Sequence, residues 1–570
     1  FANVLVEAGG GRMVLTGDVV AGDGATAGAR IDGQFGPANA NVVKALWPRM
    51  MAPRARQWFG DHLTTGILRA GTIRFASGSF APPGAHKGRK GFPESFSLDL
   101  TGETVTLQPV QGGPPLSSAA VAVTVRDQAL EITTPDAMLT TGPQEGVSLK
   151  EGRFSVGDID APIADAELAF KTQAPLGSAL KAVQQLQLMR TEGLAVPPDK
   201  IQGKLDGEFV IRLPLLPEIE ADTVVITGKA KISDVRSTEK IGIINVQSGA
   251  VDVVLGANDA AAKGELILNG VLAKLDWRRQ RPAGLPAVTS PLTLTATLDN
   301  SDRRQLGIDV SDFIDGDVPV TVAIGANDAN TSGVKVTADL TPADFSISPL
   351  AWKKPRNRPA KMEFDVVAGT VHKTELRNFK VSGDAIAAEG WIGFSADQKL
   401  QEFDFPAVSL NTVSRLQISG KRGPRDILDV RATGTTFDGK DFFRSLFTSG
   451  ASAPQKIAAK KAGVDVTASF DTVLGFSDAS LRGFSMRLSK RGDELTALDA
   501  RGKLEGGKAL IAILQTEPNG KRKIIADTTD AGQSLRLVGF YPNMQGGRGR
   551  IDLFLDGEDA AQTAGVLIIE

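Results

Sequence analysis

The 570-residue chain is 42% hydrophobic and 23% charged, which is a globular balance and excludes both a disordered chain and a helical integral membrane protein. Its net charge is −2, with acids and bases interspersed, so no polybasic stripe points to nucleic acid as a partner. Cysteine is absent, which excludes a disulfide framework and thiolate chemistry, and no apolar run reaches the ~18–20 residues of a membrane-crossing helix.

The opening stretch, Asn3–Thr16, reads as two strands joined at Gly9-Gly10-Gly11. Val43, Leu46, Trp47 and Met50, then Trp58 and Phe59, predict a helical pair over Val43–His62 that Pro53 kinks or breaks. From Gly71 the period becomes two: Phe96, Leu98 and Leu100 face one way, Ser95, Ser97 and Asp99 the other. The alternation returns in Ala164–Lys171. A second helix is expected at Leu176–Arg190, with Ala179, Val183, Leu186 and Met189 on one side and Gly193 closing it.

Beyond Pro197, strands are expected at Leu205–Arg212, Thr223–Ile232, Gly242–Val246, Val251–Leu255 and Gly264–Leu268. The similar stretches Leu255–Asp259 and Ile324–Asp328 carry Gly and Asn-Asp, which is hairpin chemistry; calcium-loop spacing is missing from both. Val334, Val336, Ala338 and Leu340 alternate with polar residues, as do Met362, Phe364 and Val366. Arg281–Gly284 and Lys353–Pro359 read as loops. A short helix is predicted at Lys440–Phe447, and Phe484, Met486 and Leu488 continue the two-residue period. Near the end a strand at Lys523–Ala526 precedes a helix that opens at Asp530, with Gln533 three residues on, and closes at Tyr541-Pro542. Ala531, Leu535 and Val538 share a face of that helix, and a strand with Ile551, Leu553 and Leu555 follows.

On the order of thirty strands are too many for one ordinary open sheet. One tyrosine and five tryptophans give no aromatic girdles for an outer-membrane barrel, and no short repeat supports a β-helix. The residues therefore predict a mainly β fold with a few short amphipathic helices, either sandwiches in series or one very long sheet. Four segments are expected: 1–66 with the helical pair, 67–200 ending in a helix, 201–450, and 451–570 with the helix near 530–541. The sequence starts at Phe1 and ends within the strand-like Gly565–Ile569, and is read as a piece of a longer protein.

No constellation reads as catalytic, so the chain is not expected to be an enzyme or to hold a cofactor. Glu402 with Asp404 flanks Phe403 as the wet face of a strand, and Asp426 with Asp429 reads as a turn entering a strand. His62, His86 and His372 lie far apart, without metal-ligand spacing. Gly9-Gly10-Gly11 and Gly546-Gly547-Arg548-Gly549 lack the strand–loop–helix frame of a phosphate loop.

Two stretches carry a family likeness. Asp530-Ala531-Gly532, Leu535-Arg536, Gly539, Tyr541, Met544, Gly546-Gly547 and Ile551 together resemble a segment of the AsmA-like superfamily, nearest its large YhdP-type members, which are related in architecture to TamB. Leu46-Trp47-Pro48, Pro53, Ala55-Arg56, Trp58, Gly66 and Gly71 resemble that family's helix-and-strand junction, and Phe92 through Leu176 follow its order. The family's N-terminal membrane helix and extreme C-terminal region have no counterpart here. The resemblance implies an elongated, coiling antiparallel β-sheet, the repeating β-groove of the bridge-like lipid-transfer proteins, which are held in the inner membrane and reach across the periplasm of Gram-negative bacteria. It also implies phospholipid acyl chains as ligand, an inner-membrane anchor outside this stretch, and a partner at the outer membrane. With that resemblance, the alternating residues Phe96, Leu98, Leu168, Phe170, Val336, Phe364, Val366, Phe484, Met486, Leu488, Ile551 and Leu553 become groove candidates; periodicity alone reads them as a plain sandwich core. The alternative reading is an envelope assembly factor that templates outer-membrane proteins by strand addition at an open sheet edge.

Overall fold

A computed structural model describes residues 3–8, 10–22, 27–47, 53–83, 93–110, 112–186, 197–216, 223–239, 245–280, 288–306, 308, 310–325, 333–347, 352–397, 399–448, 463–492, 494–518, 520–555 and 564–570. The chain is mainly β, an open sheet with few short helices, and divides into two compact units, Phe1–Ser290 and Pro291–Glu570.

The first unit contains β1 (Val4–Ala8), β2 (Gly11–Val20), β3 (Gly28–Phe35), β4 (Ala38–Asn39), α1 (Ala40–Leu46), α2 (Pro53–His62), β5 (Leu63–Gly78), β6 (Ser95–Leu107), β7 (Leu116–Arg126), β8 (Ala129–Gly142), β9 (Glu145–Val156) and β10 (Asp165–Pro175). It continues through α3 (Leu176–Leu186), β11 (Ile201–Pro214), β12 (Val225–Ser237), β13 (Val246–Leu255), β14 (Asp259–Leu268), β15 (Val271–Gln280) and β16 (Val288–Thr289). Apart from the short β4 and β16, each strand pairs antiparallel with the next. Local chemistry sets the turns. Between β14 and β15, Asn269 and Gly270 both have positive φ (49° and 87°), the requirement of a two-residue hairpin that keeps the strands twisting together.

In a meander every second connection returns to the same margin of the sheet. The third connection, β3 to β5, holds α1 and α2; the ninth, β10 to β11, holds α3. All three helices therefore stand at one margin. Pro53 is the first residue of α2, where its missing N–H costs nothing, so the proline separates two helices. Asn39 caps α1 by accepting from the Asn41 and Val42 N–H groups at 3.1 and 3.2 Å.

The second unit contains β17 (Leu292–Leu298), α4 (Asn300–Gln305), β18 (Ile314–Asp315), β19 (Val318–Ile324), β20 (Val334–Asp339), β21 (Asp344–Ile347), β22 (Trp352–Lys354), β23 (Ala360–Val367), β24 (Thr374–Gly383), β25 (Ile386–Phe394), β26 (Leu400–Leu410), β27 (Ser414–Arg422) and β28 (Ile427–Asp438). Then come α5 (Lys440–Thr448), β29 (Gly463–Leu474), β30 (Ser480–Arg491), β31 (Glu494–Lys503), β32 (Ala509–Thr516), β33 (Arg522–Thr528), α6 (Ala531–Leu537), β34 (Gly549–Phe554) and β35 (Ala564–Ile569). β18, β21 and β22 form a separate three-stranded sheet. The rest is one antiparallel meander except that β28 and β29 run parallel. That crossover keeps the strand direction unchanged, so α6 falls at the same margin as α4, the small sheet and α5.

These insertions bury the unit's core against the main sheet. Leu340 and Ala343 beside the small sheet, Phe345 and Trp352 within it, Phe443 of α5 and Leu537 of α6 share one cluster with Val381, Leu410, Leu416, Phe470 and Leu481 of the long strands. Two buried cations pin the margin. Arg303 of α4 donates to the carbonyls of Leu298, Gly316 and Ile314 at 2.7, 2.9 and 3.2 Å. Lys354 donates Nζ to the Ala343, Pro355 and Arg358 carbonyls at 2.8, 2.9 and 3.1 Å. Burial lowers the pKa of both below their ordinary values, and the carbonyl dipoles stand in for counter-ions.

Several expectations shift in detail. Val251–Leu255 is part of a longer strand: β13 runs from Val246, with a bulge between Val246 and Ser248, and residues 242–244 of the expected strand Gly242–Val246 lie outside the described set. Lys353 and Lys354 belong to a strand, not a loop. Arg281–Gly284, the tip 326–328 and residues 187–190 of the second helix also lie outside the described residues. The buried side chains of α3 are Leu176, Ser178 and Ala182, with Ala179 and Leu186 packed alongside, a face turned by about one residue from the expected one. Asp530 caps α6 by accepting from the Gln533 N–H at 2.9 Å, as its sequence foretells. The helix ends at Leu537 rather than at Tyr541, because Gly539 takes a φ of +78°.

Candidate functional site

Directly opposed residues of neighbouring strands share a sheet face, so the register identifies what each face presents. In the first unit one cross-strand row reads Val6, Met13, Phe35, Gly71, Leu100, Val123, Ile132, Phe154, Leu168, Ile211, Ile226, from β1 to β12. Every side chain in it is apolar except at Gly71. Two residues along each strand lies a second row, Leu15, Gly33, Ile73, Leu98, Val125, Leu130, Val156, Ala166, Leu213. Between them, on the opposite face, runs Gln34, Thr72, Asp99, Thr124, Glu131, Ser155, Glu167, Arg212. That wet face carries ion pairs such as Arg126–Asp99 at 2.7 Å and Arg212–Glu167 at 2.8 Å.

The second unit repeats the pattern. Its row reads Leu292, Ile324, Val334, Val366, Leu376, Ile392, Phe403, Gly420, Val430, Val466, Leu488, Leu498, from β17 to β31. Each apolar member is half-buried and none is fully covered. Nearer the inserted elements the row Ala296, Val320, Ala338, Met362, Val381, Ala388, Val408, Leu416, Gly434, Phe470, Phe484 is mostly buried beneath them. The apolar face is thus filled along one margin and open along the other.

The rows Val6–Ile226 and Leu292–Leu498 each contain a glycine under a neighbouring side chain. A Cβ on Gly420 would come within 2.4 Å of the Phe403 ring, and one on Gly71 within 2.4 Å of Leu100 Cδ2. Phe209 covers Gly228 and Phe405 covers Gly390 in the same way, with Cβ approaches of 2.7 Å to each ring. The aromatic ring fills the glycine's gap, keeping the apolar surface continuous without adding height.

The first unit also holds a partly open cavity of about 280 Å³ between the helical pair α1–α2 and the apolar face of β2–β8. Trp47 and Phe59 roof it, their ring centroids 5.9 Å apart, and Leu100, Val123 and Ile132 line its floor. On the other margin of the same face, Ile159, Ala161 and Leu215 pack against Phe96, Val125, Leu130 and Val156.

The groove candidates separate accordingly. Phe96 and Leu98 line the cavity, Phe96 fully buried and Leu98 half-buried. Leu168 lies in the first unit's continuous row, and Phe170 packs on the α3 cluster with its ring 5.9 Å from Phe209. Phe364, Phe484 and Met486 pack against the second unit's core, Phe364 stacked on Phe379 at 5.6 Å and Phe484 on Phe470 at 6.2 Å. Val336 faces Phe364 across the strands. Val366 and Leu488 lie in the open row; Ile551 and Leu553 are half-buried on β34, opposite Ala526 and Ile524. Sequence reading missed the open row's remaining members, because only the register reveals that Leu376, Phe403 and Val430 stand side by side.

One member of each acidic pair is held by an ion pair. Glu402 Oε2 meets Lys421 Nζ at 3.1 Å and His372 Nε2 at 3.5 Å on the wet face; Asp426, at φ +59° in a turn, pairs with Arg422 at 3.2 Å. His62 donates its Nδ1–H to the Trp58 carbonyl at 2.8 Å, and His86 lies outside the described residues. Among the described residues no cluster of His, Cys, Asp and Glu could hold a metal, and no helix is long and apolar enough to cross a membrane. The chain matches no family model, no curated protein and no solved structure.

Proposed function

We propose that this chain is a non-enzymatic conduit for phospholipids, which carries acyl chains along its apolar sheet faces between the inner and outer membranes of a Gram-negative envelope. In this reading it works in the periplasm and is held to the inner membrane by an anchor outside the present stretch. The observation that carries the proposal is the half-buried row from Leu292 to Leu498: a globular core would cover those side chains, whereas here they line one margin of the face in an unbroken series. An acyl chain laid on such a row gains about 0.8 kcal/mol per methylene buried, without any specific hydrogen bond. A headgroup then stays in water at the uncovered margin while the chain slides. The resemblance to AsmA-like proteins supports the same function.

The test is photo-crosslinking in cells, with a crosslinkable residue at Val366 and at Leu488 and controls on the wet face at Glu363 and Arg487. Lipid adducts at the first pair alone support the conduit; adducts at neither position remove it.

A second reading rests on β35. It pairs with β34, and Val566, Leu567, Ile568 and Ile569 are exposed by 51, 44, 51 and 42%, an apolar strand of the kind that pairs with a partner's strand. Crosslinks from Val566 to an outer-membrane protein, with none to lipid at Val366, would favour assembly by strand addition.

A further inference from the structure

Among the residues lining the 280 Å³ cavity under α1 and α2, three carry charge, Arg12, Lys44 and Arg56, and all three are cations. Among the described residues no carboxylate forms an ion pair with any of them, although Glu7 stands opposite Arg12 in the β1–β2 register. Lys44 Nζ donates to the Gly60 carbonyl at 3.0 Å and to the Leu63 carbonyl, and Arg56 Nε donates to the Trp47 carbonyl at 3.1 Å. These bonds hold two positive charges at the helical roof of a chamber whose remaining lining, Arg12 apart, is apolar. Neutral carbonyls orient the cations without cancelling their charge.

We propose that this cavity is a binding site for an acyl chain bearing an anionic headgroup, the chain lying against Val123 and Ile132 and the headgroup meeting Lys44 and Arg56. The volume falls just below the ~300–1,000 Å³ of typical small-molecule pockets, which favours one chain over two. Charge complementarity selects the headgroup: a neutral amphiphile leaves both cations without a counter-ion, while a carboxylate or phosphate supplies one. The site extends the acyl-chain reading of the apolar faces to a defined ligand class.

The experiment is a fluorescence titration of the delipidated 570-residue chain with cis-parinaric acid and with its methyl ester. The acid is expected to bind about tenfold more tightly than the ester, one charge-assisted contact's worth. Lys44→Gln/Arg56→Gln keeps donors for the carbonyls and is expected to remove that preference, leaving ester binding unchanged. Val123→Phe, which fills the floor, is expected to weaken both ligands. Transfer of labelled phosphatidylglycerol from vesicles, with phosphatidylcholine vesicles inert, would assign the headgroup to a phospholipid; binding of the acid alone would assign it to a free fatty acid. Equal affinity for acid and ester, or a preference that survives the double variant, overturns the proposal. The two readings fail separately, because lipid crosslinks at Val366 and Leu488 together with equal acid and ester binding keep the conduit and remove this site.

Discussion

In the first unit the apolar face is covered from both margins, by α1–α2 and α3 on one side and by the 157–164 connection on the other, and a cavity remains beneath the helical pair. In the second unit every insertion among the described residues falls at a single margin, where it packs solidly, and the opposite row is only partly buried. The same alternating strands thus make a chamber in one unit and an open shelf in the other. The difference lies in the connections: the sheet supplies an apolar face in both cases, and what is inserted between strands decides whether that face is roofed, filled or left open.

The comparison breaks most clearly through the packing of single leucines. Leu340 has no exposed surface and sits where the small sheet meets the main one, so Leu340→Ala should cost about 2–5 kcal/mol through lost burial and a new void. Leu100 is half-buried and faces space that already exists, so Leu100→Ala should cost about 1 kcal/mol. Urea unfolding followed by hydrogen exchange in each unit measures both. Equal costs would mean that the first unit's cavity closes up in solution and that the two units are packed alike.

Much of this was legible in the sequence and some of it was not. Alternation as in Phe96–Leu98–Leu100 and Met362–Phe364–Val366 locates strands and their apolar face, since the side-chain period of a strand is two. Asp530 with Gln533 marks a helix start, and Pro53 a helix boundary, because both signals are local. Register is not local. Phe364 and Val366 have the same sequence signature, yet one packs into the core and the other lies in the open row, because that depends on where inserted elements from distant stretches come down. The cationic roof was equally hidden: Lys44 and Arg56 are twelve positions apart on two helices, and the likeness between their environments exists only once both carbonyl contacts form. The parallel pairing of β28 with β29 leaves no mark on either strand's composition.

A middle-sized effect asks whether the two rows obey one packing rule. Gly420→Ala should displace the Phe403 ring and Gly71→Ala should push against Leu100 and Phe35, each costing about 1–3 kcal/mol as an overpacked site. Phe403→Leu combined with Gly420→Ala should recover part of the loss, which a double-mutant cycle reads directly. If Gly71→Ala is neutral while Gly420→Ala is costly, the chamber's floor yields where the shelf does not. That outcome would sharpen the contrast between the units.

The smallest expected effect concerns the wet faces. In the first unit ion pairs such as Arg153–Glu131 leave 62 and 40% of their side chains exposed, so solvent screens them. Near the end of the second unit Lys523 and Asp552 are only 17 and 19% exposed and meet at 3.3 Å, with Arg550 on Asp552 at 2.9 Å and Glu517 on Lys523 at 3.2 Å. Hydrogen bonding from Arg550, then from Lys523, holds the Asp552 carboxyl below its ordinary value, while Glu517 and Asp552 raise the Lys523 ammonium. A depressed carboxylate stabilises the fold above its unfolded pKa of ~3.9, and that contribution fades as pH falls through the lower folded value. A raised lysine stabilises the fold below ~10.4, and its contribution fades as pH rises through the higher folded value. Asp552→Asn should therefore flatten the acid limb of the second unit's stability profile below about pH 4 and leave the first unit's unchanged. Urea midpoints between pH 2 and 5, read by exchange at β33 and β34 against β8 and β9, carry the test. An acid limb equally steep in the variant would place the responsible carboxylates elsewhere on the sheet.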